Sequence, residues 1–144
     1  MQSVEQRYMG DSVATAGAGK LVVMVYDRLV ADFAQAETAL EVNDIEGVHR
    51  ALCHATEVIR YLRATLRLEV WEHAPKLAAL YDFLHRETLL ADTYKDRARI
   101  DQCADIARQL ASAWHLAAER YALEDAAAGP GAMVPPALAV HGAA

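Results

Sequence analysis

From Leu21 to Tyr26 six apolar side chains follow one another without a break, and Asp27 closes the run. A helix lying on one core needs apolar residues along a single stripe. Here they surround the whole circumference of nearly two turns, so a helix at this place needs cover on a second face. Val and Tyr also suit a strand, but the apolar spacing continues as Val22, Tyr26, Leu29, Phe33, Ala36 and Leu40, in steps of four and three that only a helix accommodates. Two explanations of the excess stand side by side. Either this helix end is buried deep among its neighbours, or part of it lines a groove for another polypeptide.

The same period recurs three more times. Thr15 is a candidate N-cap for the first helix, which is expected over about 18–42. Asn43-Asp44 breaks the pattern, and Asp44 can cap a second helix over about 45–68, where Ile45, Val48, Leu52, Ala55, Ile59, Leu62 and Leu66 alternate three and four without a miss. Pro75 fits the first turn of a third helix, about 75–94, which is expected to bury Leu77, Leu80, Tyr81, Leu84, Ala91 and Tyr94 and to carry Phe83 and Leu90 one heptad apart on a flank. Asp96 caps a fourth, about 97–124, with Ile100, Cys103, Ala107, Leu110, Trp114, Ala117 and Tyr121 as its stripe. Short turns force neighbours to run antiparallel, which predicts an all-α, up-down four-helix bundle over 20–125, with Leu52, Ile59, Leu62, Leu110 and Trp114 in its core.

Residues 1–19 are polar or small apart from Tyr8, Met9 and Val13, and read as a flexible leader able to fold back over the first helix. Residues 126–144, rich in Ala, Pro and Gly, read as a disordered tail.

A chain of 144 residues can bury a core without staples. Its net charge of -6 opposes a nucleic-acid backbone, and Arg60, Arg63 and Arg67 on one helical face read as a solvated surface. Cys53 and Cys103 stand in no C-x-x-C arrangement and fall on apolar stripes, as reduced buried thiols do. No secretion signal and no membrane-spanning run is present, which predicts a cytoplasmic protein without membrane insertion. His49 and His54, five apart, point to different sides of a helix, and Gly17, Gly19 and Lys20 lack the spacing of a phosphate loop. No catalytic residue, metal site or cofactor is expected.

Read in order, Tyr8, Val13-x-Thr15-Ala16, Leu21-x-x-Met24-x-Tyr26-Asp27, Asn43-Asp44, Leu77-x-x-Leu80-Tyr81-Asp82-x-Leu84 and Ala113-Trp114 resemble the FliS family, the export chaperones of flagellin. The resemblance runs from Tyr8 to about Ala118. Gly17-Ala18 replaces the family's usual Pro-containing helix start, and Val70-Trp71-Glu72-His73-Ala74-Pro75 replaces its acidic, Gly-containing loop. The resemblance implies a cytoplasmic antiparallel bundle that binds the C-terminal segment of flagellin, prevents premature polymerisation and delivers the subunit to the flagellar export gate. Shielding an amphipathic terminal helix in a matching groove is a physical route to that end.

The partner-binding residues expected on the leader, the crowded first helix and the flank of the third are Tyr8, Leu21, Met24, Val25, Phe83 and Leu90. Tyr26, Asp27, Tyr81 and Asp82 join them through the resemblance alone. A monomer or weak homodimer is expected, and the alternative reading is a self-associating helical adaptor that uses the same apolar surface as its dimer interface.

Overall fold

The structure, a computed structural model, describes residues 18–128 and the side chains of 19–124. The leader with Tyr8, Met9, Val13 and the candidate cap Thr15, and the tail from 129 on, lie outside the described residues. Four helices make up what is described, α1 (Ala18–Glu41), α2 (Ile45–Thr65), α3 (Ala74–Tyr94) and α4 (Arg97–Ala128), and no strand occurs among the described residues.

The turns explain the boundaries. α1 stops where Asn43 takes a left-handed backbone (φ 58), its N–H bonding the Leu40 carbonyl at 3.0 Å and that of Asp44 bonding the Ala39 carbonyl at 2.8 Å. That double closure satisfies the last carbonyls of the helix. Asp44 then caps α2, its carboxylate accepting from the Gly47 N–H at 3.0 Å. A Cβ at position 47 would stand 2.3 Å from Asp44 Oδ2, so the glycine admits the cap. α2 ends at Thr65 rather than at 68, because Leu66 is extended and turns its side chain into the core. α3 opens at Ala74 with Pro75 in its first turn, and it closes with Lys95 left-handed (φ 49). Asp96 Oδ1 accepts from the N–H groups of Ala98 and Arg99 at 3.0 and 3.3 Å, capping α4.

Around the bundle each helix packs on its sequence neighbours and α1 closes the ring on α4; α3 and α4 share the thinnest contact. The excess of apolar residues at the start of α1 follows from this topology. Both α2 and α4 cover it, and Val22, Val23, Val25 and Tyr26 are buried between them. Burial accounts for most of the excess, leaving only Leu21 and Met24 half-exposed.

At the centre the hydroxyls of Tyr26 and Tyr81 meet in a hydrogen bond that ties α1 to α3 across the bundle, and the Tyr26 ring stacks on Trp114 of α4 at 5.7 Å. The outer edges are laced by polar pairs. On the α1–α4 edge Asp27 Oδ1 meets His115 Nε2 at 2.8 Å and Glu41 Oε1 meets Arg97 Nη2 at 3.2 Å. Between α1 and α2 the buried Asp32 carboxylate bonds His54 Nδ1 at 2.5 Å through Oδ2, and Oδ1 lies 3.2 Å from Arg28 Nε without the alignment of a hydrogen bond.

Leu52, Ile59, Leu62 and Trp114 lie in the core, as their spacing predicts. Several expectations need correction. Leu110 and Leu80 are half-buried, and Tyr94 is 70% exposed because the buried line of Tyr81, Leu84, Thr88 and Ala91 continues at position 95 and leaves Tyr94 one place off it. Ile45, in the first turn of α2, is likewise exposed. Cys103 is buried against Thr88, but Cys53 is exposed, one position off the buried line of Leu52, Ala55 and Ile59.

Leu62→Ala is expected to cost about 2 to 5 kcal/mol, since the site is fully buried; a denaturant melt within ±0.5 kcal/mol of the parent would place it at the surface. Tyr26→Phe or Tyr81→Phe alone leaves one buried hydroxyl without its partner and is expected to cost about 1 to 3 kcal/mol. The double variant is expected to cost less than the sum, and strict additivity in that cycle would remove the coupling. Burial holds both phenols protonated beyond the ordinary value of 10.0. The unfolded chain therefore gives up these protons first. Stability is intact below pH 10.0 and falls as the pH rises past it, and the double Phe variant is expected to fall less steeply.

Candidate partner-binding surface

Three regions outside the core offer apolar or amphipathic surface, and the helical register locates each. On α1, Leu21 and Met24 share a side with Arg28, and Arg28 pairs with Asp32, which bonds His54 of α2. They therefore flank the α1–α2 seam. Antiparallel pairing sets them level with the C-terminal turns of α2. Asp27, three residues beyond Met24 and so its neighbour on the helix surface, lies toward the α4 edge of α1, in its pair with His115.

On α3, Leu80, Phe83, Glu87 and Leu90 repeat in steps of three, four and three and so lie along one face. Glu87 Oε1 meets Arg99 Nε of α4 at 3.7 Å, which turns this face toward α4. On α4, Ile106, Leu110 and Ala117 lie on the face that carries Arg99 and are half-buried against the core. The two strips border the α3–α4 seam where packing is thinnest. Phe83 is overlaid by the Arg86 guanidinium, 5.9 Å from the ring centroid, so its exposed edge is amphipathic.

The third region was not singled out by the sequence. A groove of about 550 Å³ opens between the C-terminal end of α2 and the first turns of α3, with Ile59, Leu66 and Leu68 on one side and Tyr81, Asp82 and His85 on the other. Arg60 and Arg63, read from the sequence as a solvated face, line it, and Arg63 Nε bonds Asp82 Oδ1 at 3.1 Å across it. The alternation of arginine with Leu66 and Leu68 was the available signal. An uncovered groove cannot be told from a solvated face until α3 is in place.

The structure thus separates the expected site residues. Val25 and Tyr26 are core residues, fully buried, and the surface expected of Val25 passes to Leu21 and Met24. Tyr81 is 1% exposed and holds the centre with Tyr26, while Asp82 serves the groove and Asp27 the α1–α4 edge. Leu21 and Met24 lie on the α1–α2 side and Phe83 and Leu90 on the α3–α4 side, which are opposite sides of the ring.

Residues 1–121 match the family described as flagellar protein FliS. The flagellar secretion chaperone FliS of Bacillus subtilis (strain 168) is 26% identical over 114 residues, covering 79% of this chain and 85% of that protein. That of Escherichia coli (strain K12) is 26% identical over 115 residues, covering 78% and 85%. A crystal structure of a flagellar chaperone from bacteria has the same fold, with a TM-score of 0.66 and 20% identity over 80% of this chain and 94% of that one. With this match spanning the bundle and its surrounding surface, the chain belongs to the FliS family of flagellar proteins, which are chaperones and not enzymes.

Proposed function

We propose that the protein is a cytoplasmic export chaperone that binds the C-terminal segment of flagellin one to one, keeps it from polymerising and hands it to the flagellar export gate. The observation that carries this reading is the family match over residues 1–121. The distribution of apolar surface supports it. Leu21 and Met24, the groove over Tyr81, and the strip with Phe83 and Leu90 form a discontinuous band around half the bundle, suited to a client that wraps the outside. Tyr8 joins the proposed client site from the sequence alone. No helix among the described residues is long and apolar enough to cross a membrane, which accords with the proposed location.

A filament subunit's terminal helix carries an apolar stripe made for its neighbours. Laid along these strips it is hidden from other subunits. Ordering an unfolded client offsets part of the contact energy, so net affinity stays moderate and release remains feasible. The arginines of the groove add charge-assisted bonds to client carboxylates or carbonyls.

The competing homodimer reading uses the same apolar surface as its interface, and exposed Leu116 at 51% and Leu123 at 73%, one heptad apart on α4, add apolar area that favours it. Light scattering on the free protein separates the two, a monomer favouring the chaperone. Phe83→Ala and Met24→Ala are expected to weaken binding of a flagellin C-terminal peptide about fivefold or more, read by calorimetric titration, with stability changed by no more than about 1 kcal/mol. Val25→Ala, in the core, is expected to lower stability by about 1 to 3 kcal/mol. Unchanged affinity in both surface variants would remove these strips from the client site.

A further inference from the structure

At the end of the α2–α3 seam remote from the groove, three side chains converge that the client reading does not use. His49 and Cys53 stand four apart on one face of α2, and Asp92 reaches them from the last turn of α3. The His49 Nδ1 and Asp92 Oδ2 atoms are 2.7 Å apart, Cys53 Sγ lies 3.7 Å from Nδ1 and 3.5 Å from Nε2, and one ligand atom from each residue falls within 4.8 Å of the others. His49 and Cys53 are exposed, so a cation can enter from solvent.

From this geometry we propose that His49, Cys53 and Asp92 form a binding site for a borderline-soft divalent transition metal, Zn2+ being the best fit, with a fourth position open to water. The donor set of one thiolate, one imidazole and one carboxylate suits zinc better than calcium or magnesium, which take oxygen alone. Zinc bonds of about 2.0 to 2.3 Å place tetrahedral ligands roughly 3.3 to 3.7 Å apart. The sulfur-to-nitrogen separation already has that value. The histidine–aspartate pair must open by about 0.6 Å, which the exposed His49 ring can do by swinging outward, and Cys53 Sγ and the Asp92 carboxylate oxygen, within 4.8 Å of each other, must settle at the same tetrahedral separation.

The carboxylate is also held ready. Lys95, left-handed at the end of α3, bonds Asp92 Oδ1 at 2.9 Å through Nζ and the Asp92 carbonyl as well, which leaves Oδ2 directed at His49. An outer bond of this kind orients a ligating carboxylate. Without a cation the Cys53 thiol keeps its proton, pushed up by partial burial and by the Asp92 carboxylate. On binding, the metal forms its bond to sulfur as that proton passes to buffer. The imidazole coordinates through Nδ1 and carries its own proton on Nε2. The product is a staple between α2 and α3 where an exposed pair now stands.

Titration of the full-length protein with Co2+ tests the site, because thiolate-bound cobalt shows a charge-transfer band in the near ultraviolet. The band is expected to saturate at about one equivalent, to be displaced by Zn2+, to persist in Cys103→Ser, and to vanish in Cys53→Ser and His49→Gln. Zn2+ is expected to raise the thermal midpoint of the parent and not of those two variants. Their flagellin-peptide affinity in metal-free buffer should match the parent, so that failure here is distinguishable from failure of the client reading. Absence of the thiolate band, or metal binding that survives in Cys53→Ser, would overturn the proposal and assign the binding to scattered surface histidines.

Discussion

The hydroxyl pair of Tyr26 and Tyr81 is the constraint on which the rest of this bundle depends. Adjacent helices are joined by apolar stripes that fix distance but tolerate sliding, since one turn of leucines packs much like the next. Two buried phenols that must find each other tolerate no such shift, because a slip of one residue leaves two polar groups in the core without partners. Trp114 stacked on Tyr26 extends the same registration to α4. With α1, α3 and α4 locked at one level, α2 is placed by its short turn from α1 and by Asp32, whose buried carboxylate holds His54.

That registration decides what remains outside. The start of α1 is apolar on every side because α2 and α4 both cover it, and so its most apolar stretch contributes only Leu21 and Met24 to the surface. The seam between α3 and α4 closes least, leaving a strip along Leu80, Phe83 and Leu90. The groove over Tyr81 exists because α2 ends at Thr65 and the chain turns away before α3 begins. In the proposed function, a client bound along these places leaves the core shut, so binding and folding stability are carried by different residues.

Much of this was legible in the sequence because helices write their period and their caps locally. Asn43-Asp44 and Asp96 mark turns through side-chain chemistry within four residues, and the stripes on α2 and α4 need only the 3.6-residue repeat. What escaped depends on the angle at which one helix meets another. Cys53 follows a buried leucine yet faces solvent, and Tyr94, three residues after the buried Ala91, stands one place off the line that α3 turns inward. His49 and His54 point to different sides of one helix, and the partners of His49 are Cys53 on its own face and Asp92 from the next helix. The family resemblance implies Tyr26 and Tyr81, with Asp27 and Asp82, as partner-binding residues, but the burial of the two tyrosines makes them the registration of the fold.

In the proposed function one client segment reaches opposite sides of a bundle whose core stays closed. Methyl-resolved NMR of the protein with a flagellin C-terminal peptide tests it most directly. The methyl signals of Leu21, Met24 and Leu90 are expected to shift together as one binding event, while those of Leu52, Ile59 and Leu62 hold their positions. Shifts confined to one side, or spread through the core signals, would contradict it.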